Sequence, residues 1–126
     1  MRQIKGILVS GKEEGASFTE LDWVKEQCLE KLGFQPYPGT LNLKVEGEDA
    51  SLVKELAGKE GVSLLPPTPD FCQAMCLRVR IGDIEGAVIL PHVDSYYENI
   101  VEILAPVKVK DKLNLKEGDE VVFDLG

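Results

Sequence analysis

Apolar and polar residues change period several times along the chain, and each change marks a predicted element. Ile4 to Ser10 has the Ile, Leu and Val content of a first strand, which stops at Gly11. Leu21, Val24, Cys28, Leu29 and Leu32 then recur at helical spacing, with Gly33 as the C-terminal stop. Thr19 is the predicted N-cap of that helix, and Asp22 three residues later makes a weak capping box. Strict alternation takes over in LNLKV. Beyond the turn-forming Pro38-Gly39, it puts Leu41, Leu43 and Val45 on one face and Thr40, Asn42 and Lys44 on the other. A second, short helix is predicted from about Ala50 to Lys59, ended by Gly61. Leu64 to Asp70 carries three prolines in seven residues, which predicts irregular backbone. Cys72 to Ile81 and Ala87 to Leu90 read as hairpin strands around Gly82-Asp83, and His92 to Asn99 as a polar loop. An apolar strand over Ile100 to Ala105, a helical turn around Asp111 to Leu113 and a last strand over Val121 to Leu125 complete the chain. Many short strands and one strong helix predict a mainly β fold. The expected form is a small closed β-barrel with accessory helices, a single domain over residues 1–126.

Composition changes this picture little. With 126 residues, 44% hydrophobic and 29% charged, the chain can bury one core without staples. Its net charge of −8 argues against a general nucleic-acid or anionic-membrane binder, but leaves room for an anionic small ligand held by local donors. No stretch approaches the roughly 18 apolar residues of a membrane helix, and the first residues lack a signal-peptide run, so a cytosolic location is expected. The three cysteines, Cys28, Cys72 and Cys76, form no C-x-x-C pair and read as reduced thiols. A zinc site would need more ligands than these and the single histidine, His92.

Three segments carry candidate chemistry. Gly6 and Gly11-Lys12 have Walker-type glycine spacing, yet Glu13 stands where Ser or Thr must hold magnesium, so a P-loop is excluded. What survives is a glycine-bracketed loop, Gly11 to Gly15, that either brings backbone N–H groups near a phosphate or is a solvated turn. Thr40 and Asn42 are neutral oxygen donors on one strand face. They suit a magnesium ion already balanced by a triphosphate, or they are the wet side of a strand. Glu102 shares its strand face with Ile100 and Leu104, which marks either a pocket carboxylate or an exposed position. Lys108, Lys110 and Lys112 add positive charge nearby, for a phosphate or for the surface.

The order of these segments resembles the archaeal CTP-dependent riboflavin kinases, a family also described as a domain of unknown function. The resemblance runs through the early glycine loop, EKLGFQPYPGTLNLKV (Glu30 to Val45) and YYENIVEILAPVKVKDKLNLKEGDEVVF (Tyr96 to Phe123). PYPGTLN is its most specific part, followed by ENIVEILAP. It implies a cradle-loop β-barrel that moves the γ-phosphoryl group of CTP to the 5′-hydroxyl of riboflavin, giving FMN and CDP. By position, Thr40 and Asn42 match the Mg2+ ligands, and Asp94 and Glu102 match the flavin contacts. Gly11, Lys12, Glu13, Glu14, Gly15 and Ala16 match one nucleotide-binding segment; Val107, Lys108, Val109 and Lys110 match the other. Glu102 is also the candidate catalytic residue, as a ribityl orienter or a base. Three positions depart from the family pattern: Glu13 for glycine, Asp94 for threonine and Tyr97 for proline.

Two other functions are compatible with the residues. A non-catalytic flavin- or nucleotide-binding module needs binding alone and accommodates Glu13 and Asp94. A swapped-hairpin DNA-binding regulator is suggested by LKEGDEV, but the net charge and the lack of a helix-turn-helix segment argue against it. The expected partners are therefore riboflavin or FMN and CTP or CDP, with no nucleic acid and no membrane.

Overall fold

The structure, a computed structural model, describes residues 2–9, 19–67, 73–91 and 99–125. Seven strands and three helices occur among these residues: β1 (Arg2–Leu8), α1 (Asp22–Leu32), β2 (Leu41–Val45), α2 (Gly47–Glu60), β3 (Val62–Leu64), β4 (Ala74–Ile81), β5 (Ile84–Pro91), β6 (Ile100–Leu104), α3 (Val109–Lys112) and β7 (Glu120–Leu125). Six strands close into an antiparallel barrel in the order β4-β5-β6-β2-β1-β7, and β7 returns to β4 through Val79↔Leu125 and Arg80↔Asp124. Strand β4 has two neighbours on that side. Its first half pairs with β3 (Val62↔Cys76, Leu64↔Ala74) and its second half with β7. Closure leaves few unpaired strand edges to manage.

Alternation divides the side chains into two cores. Ile4, Leu8, Leu41, Leu43, Val45, Leu77, Val79, Val101, Ile103, Val121 and Phe123 are among those filling the barrel interior. Ala50, Val53 and Ala57 of α2 join the same cluster, which a helix can do only across an open barrel end. The second core lies on the outer face, where Val24, Cys28 and Leu32 of α1 cover Leu64, Ala74, Cys76, Ala87, Ile89 and Leu104. Polar anchors fix this helix. The Gln27 amide donates to Leu65 O (2.6 Å) and accepts from Leu65 N–H (2.7 Å), and the Arg78 guanidinium donates to Leu32 O and Lys31 O, both at 2.8 Å. Those two carbonyls belong to the last turn and have no intrahelical donor, so Arg78 acts as a C-terminal cap.

The predicted hairpin, the last two strands, the turn at Gly118 and the Gly33 stop are all present, with Gly33 left-handed at φ 86°. Strand boundaries shift, with β1 at Arg2–Leu8 and β5 at Ile84–Pro91, and four further details differ. Helix α1 begins at Asp22 behind Leu21, and Thr19 does not cap it; the Thr19 hydroxyl instead accepts the Gly39 N–H at 2.8 Å. Leu29 fits helical spacing but is 57% exposed, because the buried stripe is the narrower set of Val24, Cys28 and Leu32. Helix α2 is the longer helix, starting at Gly47 rather than near Ala50. Val62–Leu64 forms a short strand where irregular backbone was expected to begin.

Candidate active site

The site is built on the chain leading into β2. Two hydrogen bonds from its backbone hold that segment: Gly39 N–H to the Thr19 hydroxyl, and Tyr37 N–H to Ala105 O at 2.7 Å. Gly39 itself has φ 107°, a conformation L-residues rarely adopt, so the bend depends on glycine. From this fixed bend, β2 sends Leu41 and Leu43 into the barrel and Thr40 and Asn42 to the outer face.

The antiparallel register of β2 and β6 sets Asn42 directly opposite Glu102. Thr40 is then diagonal to Glu102, within reach of a long side chain. Its hydroxyl donates to Glu102 Oε1 at 3.2 Å. Asn42 is buried, at 8% exposure, although it lies on the polar side of its strand. Its Nδ2 donates to Thr40 O (3.1 Å), and its own backbone carbonyl accepts from Val9 N–H (3.0 Å). The Thr40 hydroxyl hydrogen and one Asn42 amide hydrogen are therefore directed at protein acceptors. What each still offers is oxygen: the lone pairs of Thr40 Oγ1 and the Oδ1 of Asn42.

Beside this group lies a cavity of about 190 Å³, between residues 37–41 and 103–110. Pro38, Ile103, Ala105 and Val109 give it apolar walls, and Lys108 and Lys110 bring cationic side chains to it. Tyr37 and Val107 also line it and remain 45% and 37% exposed. Lys108 Nζ stands 3.7 Å from Asp111 Oδ2, an exposed pair that holds the ammonium weakly. A space with apolar walls and a charged side suits a planar heterocycle carrying phosphate.

Of the residues singled out from sequence, Thr40, Asn42 and Glu102 converge, and Val107 to Lys110 line the adjoining cavity together with Thr40. Gly11 to Ala16 and Asp94 lie outside the described residues. Val9, the last described residue before the glycine loop, is the one bonded to Asn42. Thr19, Tyr37 and the Ala105 carbonyl were not anticipated. Their roles depend on contacts across 20 or more positions, for which a single sequence carries no local signal.

A hard, oxygen-preferring cation fits this donor set better than Zn2+ would. Among the described residues, no group of three or more His, Cys, Asp or Glu could hold a metal ion. A pair of neutral oxygens with water and phosphate oxygens is what Mg2+ accepts, whereas zinc favours nitrogen and sulfur.

Comparison with known proteins gives a consistent outcome. The family model of CTP-dependent riboflavin kinases, described as domain of unknown function DUF120, matches residues 8–125. The chain is similar to a riboflavin kinase of Archaeoglobus fulgidus, with 40% identity over 126 residues, covering 98% of this chain and 54% of that protein. It is 37% identical over 121 residues to a riboflavin kinase of Methanoregula boonei, covering 94% of this chain and 54% of the relative. A riboflavin kinase of Pyrobaculum calidifontis is 35% identical over 130 residues, with 98% of this chain and 59% of the relative covered. The chain thus spans between 54% and 59% of the length of these relatives.

Proposed function

The chain belongs to the CTP-dependent riboflavin kinase family, and on that premise we propose that it transfers the γ-phosphoryl group of CTP to the 5′-hydroxyl of riboflavin. The observation that carries this reading is the convergence of Thr40, Asn42 and Glu102 beside a cavity lined by residues 107–110. The riboflavin 5′-oxygen bonds to the γ-phosphorus as the bond to the β,γ-bridging oxygen breaks. CDP leaves with that electron pair, and the hydroxyl proton is released. Because such a transfer asks for little covalent chemistry from the protein, rate comes from holding the groups in line and neutralising charge.

In this reading Thr40 and Asn42 hold Mg2+, whose chemistry is to neutralise and orient the triphosphate. Gly11 to Ala16 and Val107 to Lys110 bind the nucleotide, with the lysines facing its phosphates. Glu102 and Asp94 contact the flavin, and Glu102 orients the ribityl chain. The barrel acts as one cytosolic domain, without nucleic acid or membrane partners.

The test is FMN formation by the purified chain with Mg2+ and each of four nucleoside triphosphates. CTP is expected to support the fastest turnover, and chelation of the metal to abolish it. A second reading, a non-catalytic flavin or nucleotide binder, is favoured by Glu13 and Asp94, which put carboxylates at positions where the family carries glycine and threonine. Tight calorimetric binding of riboflavin and CDP with no FMN formed would select it.

A further inference from the structure

We infer that Glu102 is a positioning residue for Thr40: its carboxylate takes the Thr40 hydroxyl hydrogen, so that the Oγ1 lone pairs are presented to a cation. This rests on the proposed function only in assigning a cation to Thr40 and Asn42. A threonine hydroxyl carries one hydrogen that rotates to suit its surroundings. Beside a bound cation that hydrogen has to point away, since it would otherwise be repelled and displace the lone pair. Rotation in the absence of an acceptor leaves the ligand unprepared. The 3.2 Å bond to Glu102 Oε1 settles the orientation in advance.

Three features of the fold make this arrangement. The β2–β6 register puts Glu102 opposite Asn42, one diagonal step from Thr40. The neighbours of Glu102 on its strand face, Ile100 and Leu104, carry no charge, and Leu104 is fully buried. A half-buried carboxylate in that setting finds in the Thr40 hydroxyl a donor already held by the Gly39 bend. Asn42 repeats the logic with a backbone acceptor, because its Nδ2 is tied to Thr40 O, which fixes the amide. The negative charge behind a neutral ligand also raises the ligand's affinity for a cation, as partners behind metal ligands do elsewhere.

The test is nucleotide-dependent Mn2+ binding by the full chain, read by electron paramagnetic resonance with CDP present. Glu102→Leu and Thr40→Val should each weaken Mn2+ about 10-fold. The double variant should bind no worse than Thr40→Val alone, because both substitutions remove one interaction. Glu102→Gln keeps an oxygen acceptor of the same length and should restore most of the affinity. The inference is overturned if Glu102→Leu leaves Mn2+ affinity unchanged and affects only riboflavin binding. Additive losses in the double variant, a Glu102→Gln defect as large as that of Glu102→Leu, or no nucleotide-dependent Mn2+ binding by the unmodified chain would overturn it equally. Coupled Mn2+ losses in a chain that forms no FMN would support it while removing the kinase reading.

Discussion

Asn42 combines burial with an amide tied to the Thr40 carbonyl. Asn42→Ala is expected to lower turnover by ~100-fold, about 2.7 kcal/mol of transition-state stabilisation. The lost bond to Thr40 O costs about 1 kcal/mol of stability. Steady-state rates set beside a thermal melt check this, and unchanged turnover would remove Asn42 from the cation. Alternation was enough to place Thr40 and Asn42 on one face, and the apolar neighbours of Glu102 were enough to single it out. That Asn42 and Glu102 face each other was not readable, because register is set by pairing between distant strands.

The element that aims these residues is the bend into β2. Gly39→Ala puts a side chain at φ 107°, where the backbone cost is about 1–3 kcal/mol. Among the described residues no atom stands within 4 Å of the added Cβ, so the penalty is one of conformation rather than collision. The expected outcome is a modest fall in the melting midpoint and a larger fall in turnover, because relaxing the bend displaces Thr40. Equal melting with unchanged turnover would show that the bend is not what aims the site. At this scale the sequence was informative about strands bounded by glycine turns, such as β4, β5 and β7. It misled at Thr19, whose spacing fits a cap but whose hydroxyl is claimed by Gly39. It was silent on β3, three residues long and too short for a period to show.

At the scale of the whole molecule, two cores share one sheet, and the outer one carries two thiols. Burial pushes Cys28 up from its ordinary 9.0 to about 11, and burial with the neighbouring Cys28 pushes Cys76 up to about 12. Unfolded thiols ionise near pH 9, while the folded ones stay neutral. The stability they confer is therefore complete below pH 9 and is lost as pH rises from 9 towards 12. Urea midpoints between pH 8 and 11 should fall less steeply in a Cys28→Ala/Cys76→Ala chain than in the unmodified one; parallel curves would contradict this. A closed barrel was foreseeable from the number and brevity of the strands. The division of β4 between β3 and β7 was not, since nothing local distinguishes the halves of that strand.

The pairing of Arg2 with Leu125 puts the two extremities of the barrel side by side. Six steps of β1, roughly 20 Å, separate that meeting point from Leu8 and the neighbouring Asn42 region. A segment joined to the barrel at Arg2 or Leu125 would emerge at the rim remote from Asn42. The same proximity suits the barrel to circular permutation: a short linker could join the start of β1 to the end of β7, and new ends could be opened at the Gly82-Asp83 turn.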